Sequence, residues 1–219
     1  MSLKNFNGKT FVAFIDISGF KNMMQKQKAG EALQKFYSIG YKTLSEYSYI
    51  SGVFISDCGI LYHNSPNDQA QEKFTQMLNV IAAMNKQMLE ANYLLTTSVA
   101  YGDFEYKDKI ELPNMTKNSF HGNAYLDAYM DNEHGTPKIK AGECRVLISD
   151  DIKELNTSSQ NIKKTKTHYN YYWMLQENQT IEQYEQNVRK IENKYSQKTK
   201  KLNDEKFEDL KQLLRGDTQ

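Results

Sequence analysis

Two aspartates occupy positions from which a folded chain can turn carboxylates toward one ligand. Asp16 closes the apolar run F-V-A-F-I-D-I-S-G-F of residues 11–20, and Asp57 lies within V-F-I-S-D-C-G-I-L-Y of residues 53–62. Hard divalent cations such as Mg²⁺ take one or two protein carboxylates and complete their shell with phosphate oxygens and water. The expected chemistry is therefore two divalent cations, Mg²⁺ or Mn²⁺, held by Asp16 and Asp57 against a nucleoside triphosphate. The carbonyl of Ile17 is a further candidate ligand. The backbone amides of Ser18, Gly19 and Phe20 are candidates for the terminal phosphates, since glycine permits close backbone approach. Either aspartate alone is also an ordinary turn former. It is the pair, in matching contexts, that points to a site.

These residues need a strand exit and a hairpin to hold them. Thr10 to Ile17 is a short run rich in Phe, Val and Ile that stops at Gly19, the pattern of a buried strand. Residues 53–56 and 59–63 are short strand patterns joined at Asp57-Cys58, which places Asp57 at a hairpin end. Two helices are expected around them. From Gly30 to Tyr47, Leu33, Phe36, Tyr37, Gly40, Tyr41 and Leu44 share one face, and over residues 68–91 Phe74, Met77, Leu78, Ile81, Met84 and Met88 do the same, with Asn67 or Asp68 as cap. Tyr93 to Glu105 reads as a strand, Lys107 to Asn118 as a loop, and His121 to Asn132 as a shorter helix. Cys144–Ser149 and His168–Leu175 are two more strand candidates. The order predicts an α+β sandwich with helices packed on one sheet.

Beyond Thr180 the composition turns to Glu, Gln, Lys and Asn. Ile181, Tyr184, Val188, Ile191, Tyr195 and Leu202, then Phe207, Leu210, Leu213 and Leu214, recur at helical steps until Gly216. This predicts one or two exposed helices over residues 177–219, appended to a catalytic body of residues 1–176. They either pack along their own domain or form a dimeric coiled coil.

The 219 residues and 25.5 kDa allow one good core with an appendage. With 28 Lys and Arg against 27 Asp and Glu, no global field draws the chain to nucleic acid or an anionic membrane. Cys58 and Cys144 have no C-x-x-C spacing and sit in apolar runs, as free thiols of a reducing compartment do. No signal core and no apolar stretch of membrane-spanning length occurs. A cytoplasmic protein is expected, with neither nucleic acid as substrate nor a membrane as partner.

F-I-D-I-S-G-F, I-S-D-C-G-I-L, F-H-G-N-A-Y-L-D-A-Y and C-R-V-L-I-S, in that order over residues 10 to about 176, resemble the catalytic domain of class III nucleotidyl cyclases. Gly122, Ala124, Tyr125, Ala128 and Tyr129 are similar to the pyrimidine cyclases of the bacterial Pycsar anti-phage system. The resemblance implies a ferredoxin-like fold with a mostly antiparallel sheet. It implies a phosphorus–oxygen lyase that makes 3′,5′-cyclic UMP or CMP from UTP or CTP as a defence messenger, and a homodimer with sites at its interface. Asp16 and Asp57 match the metal positions. Three departures matter. Val53 stands where purine cyclases carry a base-reading Lys or Glu, and Leu126 and Met130 stand where a catalytic Asn and Arg are expected. Arg145 is the candidate substitute for transition-state charge, its fork suiting phosphate. Tyr49 is a candidate contact for the base, or a packing residue. His121 and the basic stretch Lys163, Lys164, Lys166 and His168 are weaker candidates for anions. The alternative reading is a degenerate cyclase fold that binds nucleotide or a partner without turnover.

Overall fold

The computed structural model describes residues 3–112, 114–158, 161–196 and 204–216. Leu202, one member of the expected tail stripe, lies outside them.

The longest apolar run makes the central strand. β1 (Phe6–Ile17) is flanked by β3 (Cys58–His63) and β4 (Leu95–Leu112), both antiparallel to it. With β2 (Ile50–Ile55), β6 (Cys144–Leu147), β7 (Ile162–Lys164) and β8 (His168–Tyr171), the sheet runs β2-β3-β1-β4-β6-β8-β7, and β5 (Met115–His121) pairs with β4 alone. Among the described residues only the β4–β6 pairing is parallel. The expected α+β architecture, a mostly antiparallel sheet with helices packed on it, is the one observed.

The period-2 alternation of a strand divides β1 between two cores. Phe11, Ala13, Ile15 and Ile17 face a large cluster with α2 (Ala29–Glu46), α3 (Ala70–Glu90) and α6 (Asp204–Arg215). Val12 and Phe14 face a smaller one with Val53, Ile60 and Tyr62 from the hairpin and Ala124 and Ala128 from α4 (Asn123–His134). Asp16, next in the even series, belongs to the α4 face. The tail helices α5 (Ile181–Ser196) and α6 bury Tyr184, Phe207, Leu210 and Leu213 in the large cluster, and Arg215 meets Glu90 of α3 at 3.0 Å. Their apolar stripes are thus used on their own body.

Several details differ from the sequence-based expectation, among them a strand, β7, over residues 162–164. Lys107–Asn118 is not a loop. β4 continues to Leu112 and turns into β5, with Lys107 opposite Ser119 and Leu112 opposite Met115. Its charged residues disguise a two-stranded arm, whose backbone pairing does not require apolar side chains. Helix α3 starts after Gln69 with no side-chain cap, because Asp68 accepts instead from Ser65 Oγ at 2.8 Å. A short helix, α1 (Phe20–Gln25), follows Gly19, whose φ of 79° turns the chain sharply out of β1. No helix of the described residues is long and apolar enough to cross a membrane, and Cys58 and Cys144 are free thiols.

Candidate functional site

Asp16 and Asp57 come together because the hairpin is stitched to the end of β1. Asp16 lies opposite Cys58, and the Ile17 amide donates to the Asp57 carbonyl at 3.0 Å. β2 ends and β3 begins one residue earlier than the sequence suggests, so the turn is Ser56-Asp57. Ser56 has a φ of 53°, the positive value that a type II′ hairpin needs at its first central residue. Its carbonyl accepts from Tyr37 Oη of α2 at 2.8 Å, which fixes the turn against the helix.

The electrostatics of the pair are those of an unsatisfied anion site. Burial, the neighbouring Asp57 charge and the charge of Glu133 on α4 together raise Asp16 to about 7, and a hydrogen bond shared with Asp57 adds to this. Burial and the same three carboxylates also push the Cys58 thiol up to about 11, so it is no nucleophile. Two residues on from Asp16, the Ser18 hydroxyl is buried without a hydrogen-bond partner among the described residues. Among the described residues no three His, Cys, Asp or Glu converge as a ready-made metal cage. The fit to divalent cations therefore rests on two crowded carboxylates and an orphaned hydroxyl, with the remaining ligands to come from phosphate, water and the Ile17 carbonyl. Glu133 was not singled out from sequence. Its only signal there was an acid one residue past the expected helix of His121 to Asn132.

The other predicted residues divide. The Ser18 amide is spent on the Leu94 carbonyl at 2.9 Å, so Ser18 has its hydroxyl, not its N–H, to offer a phosphate. The amides of Gly19 and Phe20 donate to no backbone acceptor outside α1 among the described residues, as expected of a helix start. Tyr49 precedes β2 and stacks on His63 with ring centroids 5.9 Å apart, at the opposite end of the hairpin from Asp57. Within one chain it does not join the carboxylates. His121 faces Glu105 at 3.5 Å and is largely exposed.

Arg145 is placed quite differently from a phosphate ligand. Only 4% exposed, it donates through Nε and Nη2 to the Asp131 carboxylate at 2.7 and 2.8 Å, and through Nη1 to the Pro137 carbonyl. His168 Nε2 at 3.0 Å and Ser98 Oγ at 2.5 Å complete the shell of Asp131. Burial alone would raise Asp131, but the hydrogen bonds from His168, Arg145 and Ser98 outweigh it and hold the carboxyl at about 2. The next residue, Asn132, accepts from Thr96 at 3.1 Å and reaches the Phe14 carbonyl at 3.5 Å. The cluster clamps the end of α4 across β1 and β4, next to Asp16. Leu126 and Met130 of α4 point outward, 53% and 45% exposed.

A search of solved structures finds this architecture repeatedly. Adenylyl cyclase CyaB from P. aeruginosa shares 16% identity at a TM-score of 0.55, covering 77% of this chain and 96% of its own. The catalytic core of a rhodopsin-guanylyl cyclase with converted specificity, solved with ATPαS, gives 14% and 0.56 over 77% and 97%. The fold is that of cyclase catalytic domains. The monomeric guanylyl cyclase domain of the RhoGC fusion protein from Blastocladiella emersonii agrees, at 14% identity and a TM-score of 0.58 over 78% of this chain and 98% of that one. No family model and no curated protein matches the sequence. The class III likeness therefore holds at the level of the cyclase fold.

Proposed function

We propose that the chain is a metal-dependent nucleotidyl cyclase that converts UTP or CTP to the 3′,5′-cyclic monophosphate and pyrophosphate. The observation that carries this reading is the meeting of Asp16 and Asp57 at the exit of β1, in a cyclase fold, with Asp16 crowded enough to sit near 7. Bound there, Mg²⁺ or Mn²⁺ neutralises charge on the triphosphate and lowers the barrier for attack on it. Asp16, Asp57 and the Ile17 carbonyl hold and orient the reactants. The Ser18 hydroxyl and the Gly19 and Phe20 amides contact the terminal phosphates. The ribose 3′-oxygen forms a bond to the α-phosphorus, the bond to the bridging oxygen breaks, and the electron pair leaves with pyrophosphate while the 3′-hydroxyl proton passes to solvent or to phosphate.

Val53 supports the pyrimidine assignment. It is 4% exposed inside the smaller core, where purine cyclases are expected to carry a polar base reader. A homodimer fits the exposed Leu126 and Met130, which α4 presents on the face it shares with Asp16, and lets residues remote from the carboxylates in one chain, such as Tyr49, serve a site in the other. Arg145 is reassigned from phosphate binding to holding α4. Its engagement with Asp131, together with Leu126 and Met130 at the expected Asn and Arg positions, favours a second reading, a cyclase fold that binds nucleotide without turnover.

Incubation with each of the four ribonucleoside triphosphates and Mn²⁺ separates the two. Cyclic UMP or CMP from the wild type is the expected result. Binding without any cyclic product supports the second reading, and cyclic AMP alone overturns the pyrimidine assignment.

A further inference from the structure

A second concavity is lined by neither Asp16 nor Asp57. Between strands β6 and β8 and helices α5 and α6, a cavity of about 290 Å³ is walled by Tyr171, Tyr172, Trp173 and Tyr184, with Val188 at its helical side. Tyr171, Trp173 and Tyr184 are each at most 9% exposed. Trp173 is anchored by its Nε1 donating to the Gly142 carbonyl at 2.8 Å, and Tyr172 meets Tyr184 edge to face with centroids 5.5 Å apart. A box of fixed aromatic rings attracts a cation through the negative faces of the rings, tryptophan most strongly.

The rim carries both signs, and the two are placed differently. With the Arg145–Asp131 pair set aside, Glu143, Glu185 and Glu192 line the cavity with Lys140, Arg189 and Lys206, so the numbers balance. Glu185 accepts from Tyr172 Oη at 2.7 Å and so bonds directly to an aromatic wall. Burial raises the phenols of Tyr172 and Tyr184, and the charges that add to it are carboxylates, Glu185, Glu143 and Glu182 at Tyr172 and Glu143 and Glu192 at Tyr184. The lining cations stand farther out. Arg189 is exposed, and Lys140 is 65% exposed and 3.9 Å from Glu192. Lys206 is half-buried, but among the described residues the lysines that stand over rings are Lys164 and Lys194, neither of which lines the cavity. Selection therefore rests with the ring faces and the carboxylates beside them, and both attract positive charge.

We infer that this cavity is a binding site for a small organic cation, an alkylated ammonium of about the size of choline. It is separate from the triphosphate site and needs no turnover to be observed. Trp173 is the chain's single tryptophan and forms a wall of the cavity, so its emission reports occupancy directly.

The test uses the full-length protein without nucleotide and 1-methylpyridinium as a quenching probe. Choline competes against it, with 3,3-dimethyl-1-butanol, the uncharged isostere of choline, as the control. The expected result is saturable static quenching of Trp173 that choline reverses at a concentration at least about tenfold below that of the isostere. Glu143→Gln with Glu192→Gln should weaken 1-methylpyridinium binding about three- to tenfold. An unchanged thermal midpoint is expected for this double variant, because glutamine can still accept from the Lys140 amide and Glu192 makes only the 3.9 Å contact with Lys140. Val188→Phe, which fills the cavity, should abolish saturable quenching, and the double variant keeps the test intact even if Val188→Phe fails to fold. Quenching that rises linearly without saturation, equal displacement by choline and its isostere, or unchanged affinity in the double variant overturns the inference.

Discussion

Asp16 and Asp131 face the same side of the sheet and are held in opposite ways. Asp131 receives Arg145 through two nitrogens, Ser98 and His168, and its carboxyl is held at about 2. Asp16 is given another carboxylate as its neighbour, with a third on α4 adding to the field, and rises to about 7. A carboxylate whose every lone pair is met belongs to the architecture, whereas one left crowded in a folded protein is a candidate for a ligand that brings positive charge. The contrast also explains the reassignment of Arg145. Its charge is consumed in holding the end of α4, the helix that also carries Glu133.

The comparison breaks most visibly at Asp131. Asp131→Asn leaves Arg145 buried without its counter-charge, and should cost about 3–5 kcal/mol of stability in urea unfolding. A loss comparable to that of an ordinary surface change would show that the cluster is not structural.

Asp16→Asn and Asp57→Asn should do the reverse. Turnover should fall at least about a hundredfold, equivalent to about 2.7 kcal/mol of transition-state stabilisation. The metal-free protein should be no less stable than the wild type, because a repulsion is removed. Initial rates with Mn²⁺ and thermal melts with and without it check both halves.

The two aspartates also give opposite pH dependences. Asp16 has its pKa raised from 3.8 to about 7, so between roughly pH 4 and 7 the metal-free fold binds more protons than the unfolded chain, and stability from this group falls as pH rises through that window. Asp131, lowered from 3.8 to about 2, contributes stability that is present above about pH 4 and lost as pH falls toward 2. Urea midpoints of wild type and Asp16→Asn across pH 4.5 to 7.5 should diverge in slope, and Mn²⁺ should offset the wild-type decline because metal binding favours the deprotonated carboxylate.

The smallest expected effect is at Glu133. It is exposed, and its influence on Asp16 is screened, so Glu133→Gln should change Mn²⁺ affinity by no more than about two- to fivefold, with the fold unaffected. A hundredfold loss would make Glu133 a ligand in its own right.

Legibility in the sequence followed the same division. The strand and hairpin that carry Asp16 and Asp57 show in local apolar runs, and α2 and α3 in their three- and four-residue spacing, because those signals repeat within one element. The β4–β5 arm did not show, since Lys107, Asp108 and Lys109 mask a pairing that is set by backbone partners. Nor did the Asp131 cluster, whose members come from β4, α4, β6 and β8 and are joined only by the fold. Arg145 was legible as an arginine at the start of a strand, with a fork that suits phosphate, but not as a buried one. Its partner, 14 residues away on another element, decides its role, and no spacing rule announces that. Tyr49 was near Asp57 in sequence, but the hairpin sends the two to opposite ends of a strand pair.

The central claim is that the crowded carboxylates are a cation site completed by a triphosphate. Calorimetric titration of Mn²⁺ into the protein with a 3′-deoxypyrimidine triphosphate, which cannot cyclise, tests it without relying on turnover. The account predicts two Mn²⁺ per chain in the wild type and loss of that binding in Asp16→Asn and Asp57→Asn. Equal Mn²⁺ binding in all three proteins would contradict it.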